Sequence, residues 1–282
     1  MEINGKAVSQ QIRDEIKKEV DLISGRKPSL VVILVGEDPA SQVYTGRKVK
    51  ACKQAGMESK LIQLPDTTSQ EELINLIKEL NTAPDVDGIL VQLPLPPQID
   101  PDLIARTVHP EKDVDGFHPI NLGKLFLGED DGFIPCTPLG IIKLIEHFKI
   151  ETAGMHAVII GRSNIVGKPM AGLLMQRSPT GNATVTIAHS RTKNLEEVVR
   201  QADIVVAAIG KPKFVTKAMI KEDAVIIDVG INRLEDNSLV GDVDYENVKD
   251  HCRMITPVPG GVGPMTIAML LHNTLKSYRA RH

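Results

Sequence analysis

The chain has 282 residues, of which 42% are hydrophobic, and this length favours two domains of modest size. A formal net charge of -3 and the absence of a lysine- and arginine-rich run argue against nucleic acid and membrane surfaces as partners, so a small-molecule ligand is expected. The 3 cysteines, Cys52, Cys136 and Cys252, form no C-x-x-C pair and no metal-ligand cluster. Without a signal-like N-terminus or an apolar run of membrane-spanning length, the sequence predicts a cytoplasmic protein with no bound metal.

The first part of the chain alternates helical patterns with short apolar runs, which is typical of a parallel sheet covered by helices. Helices are predicted at AVSQQIRDEIKKEVDLI, VYTGRKVKACKQAG and SQEELINLIKEL, and strands at SLVVILVG, SKLIQLP and VDGILVQLP. A second series of apolar runs comprises HAVIIG, ATVTIAH, ADIVVAAIG, AVIIDVG and RMITPV. This second series predicts a Rossmann-like doubly wound parallel sheet.

A segment rich in Gly, Pro and Asp, residues 109–138, joins the two series, and we predict that it is irregular. The amphipathic stretch LGIIKLIEHFKI follows it, and the chain closes with the helical pattern MTIAMLLHNTLKSYRA, which is expected to return to the first domain. The predicted fold is therefore α/β, with two α/β domains flanking a cleft. Residues 1–120 with 266–282 are expected to form one domain, and residues 121–265 the other.

Lys48 stands at an unusual position in the helix predicted for VYTGRKVKACKQAG. At about 100° per residue, Lys48 falls on the same stripe as Tyr44, Ala51, Cys52 and Ala55. An ammonium on an apolar face must be paired, must reach water along its stem, or must be held there for chemistry. The helix alone leaves these alternatives open.

Glycines after the first strand of the second series suggest a phosphate-binding turn. Gly161, Ser163 and Gly167 lie between a buried-strand pattern and a helix, although the spacing is one residue longer than G-x-G-x-x-G. A Walker P-loop is excluded because Pro169 stands where Ser or Thr would bind magnesium. An ordinary tight turn of an α/β domain remains the alternative.

The end of the next strand bears on which dinucleotide would bind. An acid there accepts the ribose hydroxyls of NAD, whereas His189, Ser190 and Arg191 include no acid. With Arg162 in the preceding turn, these residues favour the 2′-phosphate of NADP. A solvated basic loop is the simpler alternative.

Three further places offer groups to a ligand, each with an ordinary structural alternative. Gln92 ends a strand, where ligands gather in open α/β sheets, but it could equally face water. Asp115 belongs to a D-V-D-G tetrapeptide that leads into the irregular segment, and such an acid usually serves only a turn. The loop TPVPGGVGPMT, residues 256–266, suits close approach of backbone to a ligand, or a hinge.

Several of these segments together resemble one known family. VYTGRKVKACKQAG, VQLPLP, EKDVDGFHPINLGKL, FIPCTPLGI, GRSNIVGKPM and TPVPGGVGPMT, in this order, are similar to the bifunctional methylenetetrahydrofolate dehydrogenase/cyclohydrolase family. The resemblance implies oxidation of 5,10-methylenetetrahydrofolate to 5,10-methenyltetrahydrofolate with NADP, followed by hydrolysis to 10-formyltetrahydrofolate. It also implies tetrahydrofolate one-carbon derivatives as partners and a homodimer.

The resemblance implies a role for each matched residue. Lys48 corresponds to the catalytic lysine, Tyr44 lines the folate pocket, Gln92 tunes Lys48, and Asp115 holds the pterin ring. These residues form the expected catalytic set and also contact the substrate, and additional substrate contacts are expected at Pro259, Gly260 and Gly263. Cofactor contacts are expected at Gly161, Arg162, Ser163, Val166, Gly167, His189, Ser190, Arg191, Gly210 and Ile231.

The two reactions make different demands on the protein. Hydride transfer requires mainly that nicotinamide and folate be aligned, whereas hydrolysis benefits from a general acid/base. A lysine on an apolar face beside a cationic ligand should have a lowered pKa and could accept a proton. The competing functions are an NADP-dependent oxidoreductase acting on a hydroxy or amino acid, and a non-enzymatic dinucleotide sensor. The sensor would have little use for Tyr44, Lys48 and Gln92.

Overall fold

A computed structural model describes all residues from Met1 to His282. The first sheet contains three parallel strands, β1 (Ser29–Val35), β2 (Glu58–Leu64) and β3 (Gly88–Val91), in the order β2-β1-β3. Every residue of β1 after Ser29 is buried, as expected for a central strand covered on both faces. The helices of this half of the chain are α1 (Gly5–Asp21), α2 (Pro39–Gln54), α3 (Gln70–Thr82), α4 (Pro101–Thr107) and α5 (Pro119–Leu127).

Local sequence signals start the two helices that follow β1 and β2. The Asp38 carboxylate accepts the Ser41 N–H at 2.8 Å, and Pro39 occupies the first turn of α2, where its missing N–H costs no hydrogen bond. A capping box formed by Ser69 and Glu72 starts α3. These caps set where α2 begins and therefore which of its residues face the sheet.

The segment 109–138, predicted to be irregular, contains a helix, and that prediction is wrong at α5. Asp113 lies before the helix, and its carboxylate accepts the N–H groups of Phe117 and His118 at 3.2 and 2.8 Å. Pro119 then provides a first helical residue with φ already suited to a helix. The start of α5 thus depends on the buried Asp113, several residues upstream. The sequence prediction missed this helix because the segment is rich in Gly and Pro, which usually indicate irregular structure.

The second sheet belongs to the later part of the chain. Its strands are β4 (His156–Ile160), β5 (Thr184–Ala188), β6 (Ile204–Ala207), β7 (Val225–Asp228) and β10 (Met254–Ile255), all parallel, in the order β10-β7-β6-β4-β5. An antiparallel pair that the apolar pattern did not predict, β8 (Asn232–Arg233) and β9 (Leu239–Val240), precedes β10. The helices are α6 (Cys136–His147), α7 (Gly167–Met175), α8 (Leu195–Arg200), α9 (Tyr245–Val248) and α10 (Val262–Arg281).

The chain divides into two compact units, each built on one sheet. The unit of the three-stranded sheet comprises residues 11–124, 129–136 and 267–282, and the unit of the five-stranded sheet comprises residues 1–10, 125–128 and 137–266. Residues 1–10, expected in the first domain, lie in the second unit because Ile3 donates its N–H to the Ile255 carbonyl at 2.8 Å. None of the helices is both long and apolar enough to span a bilayer.

Candidate active site

Lys48 is buried on α2, with 5% of its surface exposed. Its Nζ donates to Gln92 Oε1 at 3.0 Å, and Gln92 directly follows β3. The Gln92 Nε2 donates to the Leu93 carbonyl at 2.6 Å, which keeps the amide oxygen directed at the lysine. Because so little of Lys48 is exposed, its amine does not reach water along the stem, and that alternative is excluded.

An aromatic ring and two polar groups surround the lysine. Tyr44, one helical turn earlier, places its ring centroid 4.8 Å from the Lys48 Nζ, within the range of a cation–π contact. Asp115 and Cys136 also act on the amine electrostatically. The structure thus brings Tyr44, Lys48, Gln92 and Asp115 together.

Burial dominates the titration of this cluster. It lowers the pKa of Lys48 below the ordinary lysine value, and the Asp115 carboxylate only partly opposes this change. The same burial raises the pKa of Asp115, again opposed by Lys48. Burial raises the pKa of the Cys136 thiol well above its usual range, so that thiol stays protonated near neutral pH. An amine moved toward neutrality can accept a proton, which an ordinary lysine cannot do near pH 7.

Asp113, which the sequence reasoning missed, shapes the turn that carries Asp115. In addition to the N–H groups of Phe117 and His118, its carboxylate accepts hydrogen bonds from the Gly116 N–H at 3.2 Å and from the Asn121 Nδ2 at 2.9 Å. Burial raises the pKa of Asp113 to about 6. Gly116 has φ +78°, and a Cβ there would lie 2.6 Å from the Pro135 nitrogen. The signal available in the sequence was the first acid of D-V-D-G, two residues before Asp115.

An apolar pocket lies next to Asp115 in the same unit. Its only charged lining residues are Asp113 and Asp115, and the rest are apolar side chains from β3, α4 and the adjoining loops. Its lining is Ile89, Val91, Leu93, Pro101, Ile104, Ala105, Val108, Asp113, Asp115 and Phe117.

The glycine turn after β4 is held by close contacts that a side chain would prevent. Gly161 has φ +136°, and a Cβ there would lie 2.2 Å from the Ala208 carbonyl oxygen. A Cβ on Gly167 would lie 2.2 Å from the Gly161 oxygen. Ser163 accepts the N–H groups of Val166 and Gly167 at 3.1 and 3.4 Å, so its hydroxyl supports the start of α7. Both glycines are therefore required by packing, and the bare backbone permits close approach of a phosphate.

The remaining cofactor positions lie in loops at the same edge of the five-stranded sheet. Arg162, Ser190 and Arg191 are exposed, and no acid follows β5. The half-buried His189 accepts the Arg191 N–H at its Nδ1, at 3.2 Å, so its ring shapes the turn. Gly210, with φ +72°, follows β6, and Ile231, 58% exposed, follows β7. Loops that follow neighbouring parallel strands meet at one edge, which is where open α/β sheets bind ligands.

The glycine-rich loop before α10 belongs to the unit of the five-stranded sheet. Pro259 is exposed, and Gly260, with φ +114°, accepts the Lys6 N–H at 2.8 Å. A Cβ on Gly263 would lie 3.5 Å from the Ile231 Cδ1, so this glycine tolerates little more than a methyl group. Pro259, Gly260 and Gly263, the predicted substrate contacts, therefore belong to a different unit from Lys48.

Fold and site together define a class of protein. A parallel sheet with a glycine turn and cationic loops at its carboxyl edge is the architecture of a dinucleotide-binding domain. A separate α/β unit that buries a lysine beside an amide and a carboxylate has the groups of a catalytic domain. The chain therefore has the architecture of a two-domain α/β oxidoreductase.

Comparison with known proteins identifies the family. A family model described as tetrahydrofolate dehydrogenase/cyclohydrolase, catalytic domain, matches residues 3–115, and the corresponding NAD(P)-binding domain matches residues 135–282. The chain is 56% identical over 284 residues to the bifunctional protein FolD of Protochlamydia amoebophila, covering 99% of this chain and 97% of that protein. The chain belongs to the tetrahydrofolate dehydrogenase/cyclohydrolase family, so the family predicted from the motifs is confirmed.

Solved structures agree over nearly the full length. The bifunctional FolD methylenetetrahydrofolate dehydrogenase/cyclohydrolase of Campylobacter jejuni is 50% identical, with a TM-score of 0.96 covering 100% of this chain and 99% of that one. The Trypanosoma brucei enzyme, solved with NADP cofactor and an inhibitor, is 38% identical, with a TM-score of 0.94 and coverage of 99% and 97%. The predicted fold of two α/β domains, one of them Rossmann-like, is confirmed.

Proposed function

We propose that this protein oxidises 5,10-methylenetetrahydrofolate to 5,10-methenyltetrahydrofolate with NADP and then hydrolyses the product to 10-formyltetrahydrofolate. The observation that carries the proposal is the buried Lys48 amine, hydrogen-bonded at 3.0 Å to Gln92 and acted on by Asp115. These residues lie in a chain whose two halves match the catalytic and NAD(P)-binding domains of this family. The activity belongs to one-carbon metabolism.

Lys48 is proposed to move protons in the hydrolytic step. Water attacks the cationic methenyl carbon and loses a proton, which a neutral amine within hydrogen-bond reach accepts. The bond from that carbon to the ring nitrogen N5 then breaks, the hydroxyl proton is released as the formyl group forms, and N5 takes up a proton. Burial lowers the pKa of Lys48, and a bound cationic folate would lower it further through like-charge repulsion. The Gln92 oxygen accepts one amine hydrogen and so sets where the nitrogen lone pair points. Gln92 therefore acts by orienting Lys48.

Asp115 and Tyr44 are proposed to position the folate. The pterin edge carries an amino group and a ring N–H, and a carboxylate can accept a hydrogen bond from each. The half-buried Tyr44 would line the entrance to the lysine. Pro259, Gly260 and Gly263 are proposed as further contacts, because an exposed proline and glycines allow the backbone to approach a ligand.

NADP, when bound, supplies the acceptor for the hydride. The exposed Arg162, Ser190 and Arg191 offer charge and hydroxyl donors to a 2′-phosphate. The bare backbone of Gly161 and Gly167, with Ser163 and Val166 between them, would lie against the pyrophosphate at the start of α7. Gly210 and Ile231 would contact the dinucleotide from the loops after β6 and β7. Because the folate nitrogens stabilise the carbon that loses hydride, no residue needs to remove a proton in this step.

The remaining expectations are also proposed. We assign folate binding and catalysis to residues 1–120 with 266–282, and NADP binding to residues 121–265, while residues 1–10 pair with the five-stranded sheet. A homodimer would involve the cofactor domains, and β5 supports this because it is an edge strand with unpaired backbone groups and an exposed Ile187. All the cysteines are free thiols, which agrees with a cytoplasmic location.

The activity is tested by absorbance on mixing the protein with 5,10-methylenetetrahydrofolate and NADP. NADPH should accumulate, and methenyltetrahydrofolate should rise transiently and then decay faster than in the absence of protein. Reduction of NADP by a hydroxy or amino acid, with no reduction by methylenetetrahydrofolate, would favour the competing oxidoreductase. Tight NADP binding without turnover of any folate would favour the sensor.

An Asp115→Asn variant separates binding from chemistry in the same assay. An amide offers one acceptor where the carboxylate offers two, so folate binding should weaken about tenfold or more. Both activities should fall together because both use the same bound ring. Lost turnover at unchanged folate affinity would show instead that Asp115 takes part in the chemistry.

A further inference from the structure

Asp242 is a fully buried acid in the unit of the five-stranded sheet, between β9 and α9. One carboxylate oxygen accepts the N–H groups of Ile209 and Gly210 at 2.6 and 2.9 Å. The other accepts the Lys211 N–H and the Asn232 Nδ2, both at 2.9 Å. Consecutive amides directed at one anion form a nest, and here the anion is a side chain of the protein itself.

The donors come from the two loops that carry proposed cofactor contacts. Residues 209–211 follow β6 and include Gly210, and Asn232 adjoins Ile231 after β7. Gly210 has φ +72°, and no atom lies within 4 Å of the place where its Cβ would stand. The Ile209 side chain packs against the core of this unit, and the hydrogen bonds to Asp242 fix the backbone N–H groups of residues 209–211.

A second buried acid fixes Asp242 in turn. Asp228, the last residue of β7, accepts the Asp242 N–H at 2.9 Å with one oxygen and the Val243 N–H at 2.9 Å with the other. The contact leaves no room for side chains, since a Cβ on Gly241 would lie 1.8 Å from an Asp228 oxygen. The end of β7 is thus connected through Asp228 and Asp242 to the backbone of the loop after β6.

We propose that Asp242 is a positioning residue for NADP, which holds the loops after β6 and β7 in the conformation that binds the dinucleotide. It acts through those loops, because its own side chain is fully buried and cannot touch a ligand. The inference rests on the proposed cofactor role of Gly210 and Ile231. It predicts a defect in NADP binding that leaves hydrolysis of methenyltetrahydrofolate, a reaction without hydride transfer, unaffected.

The principal variant is Asp242→Asn, which keeps the size of the side chain. The amide retains one acceptor oxygen and presents an NH2 group to N–H donors, so at least two donors lose their acceptor. The dissociation constant and KM for NADP should rise about tenfold or more. With methenyltetrahydrofolate supplied directly, the cyclohydrolase rate should stay within about twofold of wild type.

Asp203→Asn is the matched control at the opposite edge of the same sheet. Asp203 accepts the His156 N–H at 3.0 Å and pairs with Lys221 at 2.6 Å, so this variant also weakens a carboxylate bond to backbone. It lies before β6 rather than after it. NADP affinity should therefore be unchanged, even if thermal stability falls as much as in Asp242→Asn.

A milder variant covers the case in which Asp242→Asn does not fold. Asn232→Ala removes one donor and leaves the carboxylate with its three backbone N–H groups, and it should raise the NADP dissociation constant by a smaller factor. Unchanged NADP affinity in a folded Asp242→Asn, or in Asn232→Ala when the first variant is unfolded, overturns the proposal. An equal loss of NADP binding and of hydrolysis overturns it too, because Asp242 would then be merely structural.

Direct calorimetry of NADP binding keeps this test separate from that of the proposed function. If the wild-type protein binds NADP but oxidises no folate, the proposed function fails while the comparison of Asp242→Asn with Asp203→Asn still decides the role of Asp242. If wild type oxidises folate and both variants bind NADP normally, only the role of Asp242 fails.

Discussion

The surroundings of Lys48 disfavour the charged form of its amine. Burial removes the amine from water, and the Gln92 oxygen and the Tyr44 ring replace only part of that hydration. The nearby Asp115 carboxylate favours the charged amine and so partly opposes the lowering of the Lys48 pKa by burial. A general acid/base needs this balance, whereas a lysine that serves only to cover a surface does not.

The residue-scale prediction concerns Lys48→Met. The thioether keeps the apolar stem and removes the amine, so cyclohydrolase activity should fall by more than about a hundredfold while part of the dehydrogenase activity survives. Methenyltetrahydrofolate should then accumulate in the dehydrogenase assay. Thermal stability should be kept or raised, because a buried polar group has been removed. Hydrolysis at the wild-type rate, or an unfolded variant, would show that Lys48 is structural.

The same residue should control the pH dependence of hydrolysis. Since burial lowers the pKa of Lys48, the neutral amine forms at a lower pH than for an exposed lysine, and the hydrolytic rate should rise through that titration. Spontaneous hydrolysis, measured without protein, must be subtracted at each pH. Lys48→Met should lose the rising limb, and a variant that retains the wild-type profile would assign the titration to another group.

Cofactor choice is also decided by individual residues. Arg191 is exposed next to β5, and Arg191→Ala should raise the KM for NADP about tenfold while changing that for NAD little, because only NADP carries the 2′-phosphate. Steady-state kinetics with both cofactors measure the difference. The exposed Lys193→Ala, two residues further on, is a matched loss of charge. Equal effects of Arg191→Ala on the two cofactors would contradict the phosphate assignment.

At the scale of the element, the turn from β4 into α7 depends on glycine for two separate reasons. Gly161 has a positive φ, and it also packs against the backbone after β6. Ser163 then supplies a hydroxyl acceptor for the first N–H groups of the helix, which no other side chain caps. The strand, the turn and the helix end therefore form one continuous structure, which is proposed to bind a phosphate of the cofactor.

Gly161→Ala should disrupt that unit. Its Cβ would stand 2.2 Å from the Ala208 oxygen, so the backbone must shift, and NADP binding and dehydrogenase activity should fall by more than about tenfold. Cyclohydrolase activity with methenyltetrahydrofolate should largely remain. Gly154→Ala is the control, because Gly154 also has a positive φ, +75°, but no neighbour within 4 Å. Equal NADP affinity in the two variants would refute the steric argument.

At the scale of the whole molecule, Asp87 connects distant parts of one unit. It is fully buried, pairs with Arg26 at 2.6 Å and with Arg281 at 2.7 Å, and accepts the Ser29 N–H at 2.8 Å. Arg26 lies before β1, Ser29 begins β1, and Arg281 ends α10. Asp87 therefore anchors the C-terminal helix α10 to the three-stranded sheet.

Asp87→Ala should lower the free energy of unfolding by about 2–4 kcal/mol, less than for a wholly buried pair because both arginines remain partly exposed. Urea denaturation measures the change. Asp21→Ala removes an exposed partner of Lys17, and its effect should stay within about 0.5 kcal/mol. Comparable losses in the two variants would show that Asp87 contributes no more than a surface ion pair.

Much of the fold could be predicted from the sequence because individual strands and helices have characteristic local residue patterns. The strands follow from apolar runs, and the stripe of α2 placed Lys48 on the buried face. The pairing of Ile3 beside β10 was missed because its partner, Ile255, lies at the other end of the chain. Asp242 was missed because its backbone donors, residues 209–211, lie in a different loop. The start of α5 and the role of Asp113 were missed although the donors are close in sequence, because an acid before Gly and Pro is also typical of an ordinary turn. The pair β8 and β9 was missed because these two-residue strands are too short to give an apolar run.

By itself, the sequence determined the two α/β halves, the glycine turn, the cations after β5, and the presence of Tyr44, Lys48, Gln92 and Asp115. These are properties of local pattern and residue type, which no distant contact alters. Only the tertiary structure decided that Gln92 reaches Lys48, that Asp115 acts on the same amine, and that burial lowers its pKa. Such facts depend on the order of strands in a sheet and on exclusion of water, and both arise only when distant segments pack together.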